Sequence, residues 1–142
     1  MDRLFLDANI LFSAAYNAKS LLHQLWQLDD VELMTSIYAV EEARRNLSEY
    51  HADRLAGLQE LVAKMSVVLV HGQESEAADD VGLPQKDVPI LQAAISAGAT
   101  HLLTGDKDHF ERLFDTAVAG VCVKRPTAYL DTRKRRAKPS EG

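Results

Sequence analysis

Strand-like and helix-like segments alternate along this chain, and that alternation predicts an α/β fold: a mainly parallel central sheet covered on both faces, a three-layer α/β/α sandwich. Two further observations agree. Val67 to Val70 is a continuous, β-branched-rich run, as in a strand buried on both faces. No Pro-, Gly- or Ser-rich linker interrupts the body, so its 142 residues read as one domain, with a basic tail from residue 132 onward.

Taken in order, Arg3 to Leu6 is a short strand ending at Asp7. Ile10 to Ala15 and Ser20 to Leu28 read as helices, and Asp29-Asp30 as a turn. Val31 to Thr35 is the second strand, and Ser36 caps a helix whose Ile37, Val40, Ala43 and Leu47 share one face. A helix from Asp53 to Lys64 carries the stripe Leu55, Leu58, Leu61, Val62 and Met65. The acidic stretch Glu74 to Asp80 is expected to be exposed, and the loop VGLPQ follows it. Asp87 opens a helix with Ile90, Leu91, Ala94 and Ile95 inward, and Gly98 ends it. His101 to Thr104 is a strand, and Gly105 allows a sharp turn. Val121 to Val123 is the last strand, followed by Pro126 and a short helix to Leu130.

Composition narrows the functions. No apolar run approaches the roughly 20 residues of a membrane helix. The opening MDRLFLDANILFSAA lacks the basic start of a signal peptide. Cys122 is the single cysteine, so no intrachain disulfide can form, and a cytoplasmic setting is expected. The net charge of −5 conceals an asymmetry: residues 133–142 carry +4, leaving −9 on the rest. An acidic body repels nucleic acid, so a protein of this charge that acts on RNA or DNA needs cations at its site. The tail reads either as a disordered solubilising end or as a remote attractor of phosphate.

Parallel strands joined by right-handed crossovers place whatever follows each strand on one rim, which is where ligands bind in such sheets. Asp7 and Asp106 reach that rim because each follows a strand. Glu42 lies about two turns into the helix after the second strand, and Asp87 opens the helix before the strand HLLT. Bringing these two to the rim requires a helix arrangement that periodicity does not supply. If all four acids met, each pair about 6 Å apart would repel by about 3 kcal/mol at an effective dielectric near 20. Either protons or a cation must relieve that repulsion. An all-oxygen set suits Mg²⁺ or Mn²⁺ rather than zinc, and hard metals among carboxylates are an apparatus for phosphodiester hydrolysis by metal-activated water.

These residues resemble the motifs of the PIN-domain family. LFLDANIL is similar to its opening: an aspartate after a short strand, then Asn and apolar residues. TSIYAVEEARRNL is similar to its second motif, with Ser36 after a strand and Glu42 six residues later. KDVPILQAAISAGATHLLTGDKDHF is similar to the third and fourth together and is the most specific block. The resemblance spans roughly residues 3 to 131. It implies an α/β/α sandwich and a metal-dependent endoribonuclease, with Asp7, Glu42, Asp87 and Asp106 as metal-holding acids. It implies hydrogen-bonding roles for Asn9, Ser36 and Thr104, and makes Asp108 an extra acid at the edge of the site. Small bacterial members of the VapC type are toxins paired with an antitoxin protein, and many form homodimers.

Several residues carry a plainer reading beside the functional one. Glu41 and Glu42 both lie off the apolar stripe, and only the family spacing favours Glu42. His109 reads as a surface or helix-start histidine, and His23, His51, His71 and His101 show no metal-ligand spacing. Arg44, Arg45, Lys86 and Lys107 flank the acids and as a group would steer phosphates, though each alone is a surface charge. Trp26 reads as core or interface, and Cys122 as a small buried apolar residue. The main alternative is a PIN-like module that binds RNA or protein without cutting. A phosphatase using Asp7 as nucleophile is disfavoured, because Asn9 stands where a second aspartate would act as general acid.

Overall fold

A computed structural model describes residues 1–69 and 82–137. The expected acidic stretch Glu74 to Asp80 and part of the loop after it lie outside the described residues. Strands β1 (Asp2–Leu6), β2 (Val31–Ser36), β3 (Ser66–Val68), β4 (His101–Leu103), β5 (Thr116–Val118) and β6 (Val121–Lys124) form one sheet in the order β3-β2-β1-β4-β6-β5. Every neighbouring pair is parallel except β5 with β6. Helices α1 (Ala8–Tyr16), α2 (Ile37–Tyr50), α3 (Leu55–Ala63), α4 (Val88–Ser96), α5 (Lys107–Phe110) and α6 (Pro126–Ala137) connect and cover the strands.

Side chains alternate between the two faces of a strand, so burial of consecutive residues shows that both faces are covered. Leu4, Phe5 and Leu6 of β1 are fully buried, as are Leu102 and Leu103 of β4. The expected three-layer α/β architecture is therefore present at the centre of the sheet. Helices α1, α2 and α3 pack on one another, while α6 packs against the segment Leu21–Gln27. Ser36 Oγ accepts from Ala39 N at 3.1 Å, which caps α2 as its sequence position predicts. Gly98 sits at φ +71° just beyond α4, where a Cβ would come within 2.9 Å of an Arg3 guanidinium nitrogen.

Four expectations are corrected. The strand expected at 67–70 is Ser66–Val68 on the outer edge of the sheet, and Val67 and Leu69 are exposed rather than buried, while Val70 lies outside the described residues. A β-branched run marks a strand but not its place in the sheet. Leu21–Gln27 is a 3₁₀ helix with Ser20 Oγ accepting from Leu22 N; its apolar spacing fits three residues per turn as well as 3.6. Strand β5 was not expected. It pairs with β6 across Ala119 and Gly120, both at positive φ, in a two-residue turn that lacks the usual Asn-Gly signature. The last helix runs past Leu130 to Ala137, so the segment expected as the start of a basic tail continues α6. There Arg133 pairs with Asp30 and Asp2 and lies over the Tyr129 ring, tying the helix to the start of β1.

Candidate active site

The carboxyl ends of β1 and β4 are adjacent, because these strands pair in register from Leu4–His101 to Leu6–Leu103. The two residues that follow them are therefore held together: Asp7 N donates to Leu103 O at 3.1 Å. Asp7 is 4% exposed and caps α1, with Oδ1 accepting from Ala8 N at 2.7 Å. Its Oδ2 accepts from Thr104 Oγ1 at 2.8 Å and from Asn9 Nδ2 at 3.1 Å. Thr104 is fully buried and its hydroxyl also accepts from Asp106 N at 3.1 Å, so one side chain sets the positions of both strand-end acids. Asn9 Oδ1 accepts from Gly105 N at 2.8 Å, closing the turn between them.

Asp7, Glu42, Asp87 and Asp106 line one cavity of about 380 Å³. The helix arrangement that periodicity left open thus brings Glu42 and Asp87 to the strand ends. Glu41 points elsewhere and pairs with Arg44, which separates the two adjacent glutamates. Asn9 and Lys86 also line the cavity. Ser36 does not; it acts through the cap that fixes α2 and hence Glu42. Asp108 is exposed in the first turn of α5 and is not part of the lining.

His109 is the residue that the sequence reading undervalued. Asp106 Oδ1 accepts from His109 N at 3.1 Å, turning the imidazole back over the site. Its Nδ1 lies 2.7 Å from Asp106 Oδ2 and 2.8 Å from Asp87 Oδ2. Both contacts are ion pairs when the imidazole is protonated, and Asp87 Oδ2 and His109 Nδ1 are buried. Asp87, Asp106 and His109 each offer a ligand atom, all within 4.8 Å of one another. Asp7 and Glu42 share the cavity without belonging to that tight trio. The signal available in the sequence was the spacing of Asp106 and His109, three residues apart across one helical turn.

The electrostatics record the crowding. Burial pushes the Asp7 carboxyl up to about 6, against the pull of Thr104 and Ala8, with Asp87 and Glu42 adding to the rise. Burial also raises the Asp87 carboxyl; the His109 charge opposes that rise and the Asp106 charge adds to it. The Tyr38 phenol is raised by burial and then by Glu42 and Asp87, while its hydroxyl donates to Lys86 O at 3.0 Å and links α2 to the loop before α4. Two carboxylates and an imidazole with ligand atoms within 4.8 Å of one another, beside the further acids Asp7 and Glu42, fit a divalent cation.

A family model described as the PIN domain matches residues 3–108. Solved structures share the fold at low identity. VapBC2 from Rickettsia felis, bound to a DNA fragment from its promoter, aligns with a TM-score of 0.69 and 13% identity over 87% of this chain and 98% of that one. DNA-bound VapBC from Salmonella typhimurium gives 0.68 and 16% over 89% and 99%. VapC20 from Mycobacterium tuberculosis, a sarcin–ricin loop cleaving toxin, gives 0.60 and 16% over 81% and 98%. No curated protein matches by sequence.

Proposed function

This chain belongs to the PIN-domain family, and from that premise we propose that it is a metal-dependent endoribonuclease and the toxin of a toxin–antitoxin pair. The observation that carries the reading is the acid-lined cavity at the ends of β1 and β4, with Asp87, Asp106 and His109 each offering a ligand atom within 4.8 Å of one another. Asp7, Glu42, Asp87 and Asp106 would hold Mg²⁺ or Mn²⁺, and His109 Nδ1 stands where it would add a nitrogen ligand. When bound, the ion supplies Lewis-acid stabilisation of the reacting phosphate and makes water nucleophilic near neutral pH.

The chain's own residues prepare that site. Thr104 and Asn9 fix Asp7 Oδ2, the supporting role that outer hydrogen bonds play around metal ligands. The raised carboxyls of Asp7 and Asp87 hold protons more readily than free acids and give them up as a cation enters. Lys86 at the cavity wall attracts a phosphate towards an otherwise negative surface. The toxin assignment is supported by the solved neighbours, whose descriptions are of VapBC complexes and a VapC toxin; an antitoxin protein and a second copy of this chain are the partners this reading expects.

The test is cleavage of unstructured RNA with Mg²⁺ or Mn²⁺ by the parent and by Asp106→Asn. Cleavage by the parent and loss of about a hundredfold or more in the variant, on the scale of removing one charge-stabilising group, is the expected outcome. An Asp106→Asn protein that cuts as fast as the parent would remove the basis for the assignment.

A further inference from the structure

The cavity continues past its acids along α2. Glu42, Asn46 and Glu49 stand at i, i+4 and i+7, a single stripe of the helix, and all three line the same cavity. Tyr50, the last residue of α2, and His51, its C-cap, also line it. The Tyr50 side chain is 78% exposed and has no ring partner among the described residues. His51 is held firmly: its backbone N–H donates to Leu47 O at 2.6 Å, and its ring sits edge-on to Tyr16 with centroids 4.5 Å apart.

We propose that Tyr50, His51, Asn46 and Glu49 form a base-recognition subsite that takes an unpaired guanine of the RNA strand whose phosphate lies among the acids. The proposal rests on the ribonuclease reading above and names part of its substrate. Unpaired bases of RNA are recognised by stacking on aromatic side chains and by hydrogen bonds to their edges, and this wall offers both. Glu49 sets the identity of the base. A carboxylate accepts two hydrogen bonds from adjacent N–H donors, and guanine alone among the four bases places a ring N–H beside an amino group. Asn46 donates and accepts next to it and can complete the edge.

The spacing suits one continuous strand. From Glu42 to Glu49 the helix rises about 10 Å, a span that the ribose–phosphate link to a neighbouring nucleotide can cover. The acids and the four subsite residues line the same cavity of about 380 Å³, so a phosphate and the base next to it would be neighbours there. The chemistry favours RNA over a protein partner here because the wall is mixed, with polar edge-readers beside the rings, and is continuous with the acids.

The experiment measures binding separately from cutting. Short labelled oligouridines carrying one guanosine, one adenosine or one abasic residue are titrated with the full chain in Ca²⁺ and followed by fluorescence anisotropy. The parent is expected to prefer the guanosine oligomer. Tyr50→Ala should weaken that complex by roughly tenfold to a hundredfold, the range of one lost base stack, whereas Tyr50→Phe should retain it. Glu49→Gln should remove the preference for guanosine over adenosine and leave the abasic oligomer unaffected. Equal binding of all three oligomers, or a Tyr50→Ala protein that binds like the parent, as expected of a wall reserved for a protein partner, overturns the proposal. A guanosine preference in a protein that cuts no RNA leaves the subsite standing and removes only the nuclease reading. Cutting without any base preference removes only the subsite.

Discussion

The buried charge of Asp7 should be visible as a pH-dependent cost to the metal-free protein. Its carboxyl moves from an ordinary 3.8 to about 6 on folding, so the folded state binds its proton more tightly than the unfolded state. Stability from this group is therefore greatest below the unfolded value and declines as pH rises towards the folded value, the reverse of a salt-bridged aspartate. At 1.36 kcal/mol per pKa unit, the penalty is about 1 kcal/mol near pH 4.5 and close to ~3 kcal/mol near pH 7.5. Asp7→Asn removes the charge and introduces a pH-independent cost of about 1 kcal/mol, because an amide oxygen placed to accept from Thr104 and Asn9 turns its NH2 towards the Ala8 N–H and leaves that donor unpaired. The difference in unfolding free energy between variant and parent should accordingly swing by about 2 kcal/mol in the variant's favour between about pH 4.5 and 7.5. The assay is urea denaturation of both proteins across that range in EDTA. Excess Mn²⁺ should restore the parent's position, since a ligand at a hundred times its dissociation constant adds about 2.7 kcal/mol. A difference that stays flat with pH would refute the claim that Asp7 is held charged at a cost.

Three further outcomes are expected. Thr104→Val keeps the shape of a fully buried side chain but removes the hydroxyl shared by Asp7 Oδ2 and Asp106 N; Mn²⁺ affinity by calorimetry should fall by about 10- to 100-fold, and an unchanged affinity would show that the hydroxyl does not organise the acids. His109→Ala should weaken Mn²⁺ binding by about tenfold while the exposed Asp108→Ala leaves it unchanged, so equal effects would contradict the assigned geometry. Ser36→Ala removes the cap of α2 and should cost about 1 kcal/mol by denaturant unfolding; no loss would mean that the Ala39 amide finds another partner.

The parts of the fold and site that could be read from sequence are those governed by local chemistry. Ser36 before an amphipathic run, Gly98 past the end of one, and Asp7 after Leu4-Phe5-Leu6 each state their structure within a few residues. What escaped depended on partners distant in the chain. Val67 is exposed because β3 has a neighbour on one side only, which no local pattern encodes. The β5–β6 hairpin turns on Ala119-Gly120, where an ordinary residue accepts a backbone state that an asparagine would have advertised. Arg133 belongs to a helix because Asp2, Asp30 and Tyr129 receive it. His109 joins Asp87 only through the tertiary fold, and although it stands in the DHF of the motif block, the resemblance assigns site roles only to its acidic neighbours.

Strand β1 is made by the first residues of the chain, yet it lies between β2 and β4 in the finished sheet. Asp7 and Thr104, 97 positions apart, meet only when β4 has docked. Long-range closure of this kind comes late in folding. A fragment lacking the second half therefore carries Asp7 and Glu42 without Asp87 and Asp106, and cannot assemble the acid cluster. The order of the strands is itself a delay between the synthesis of Asp7 and the completion of the cluster it belongs to.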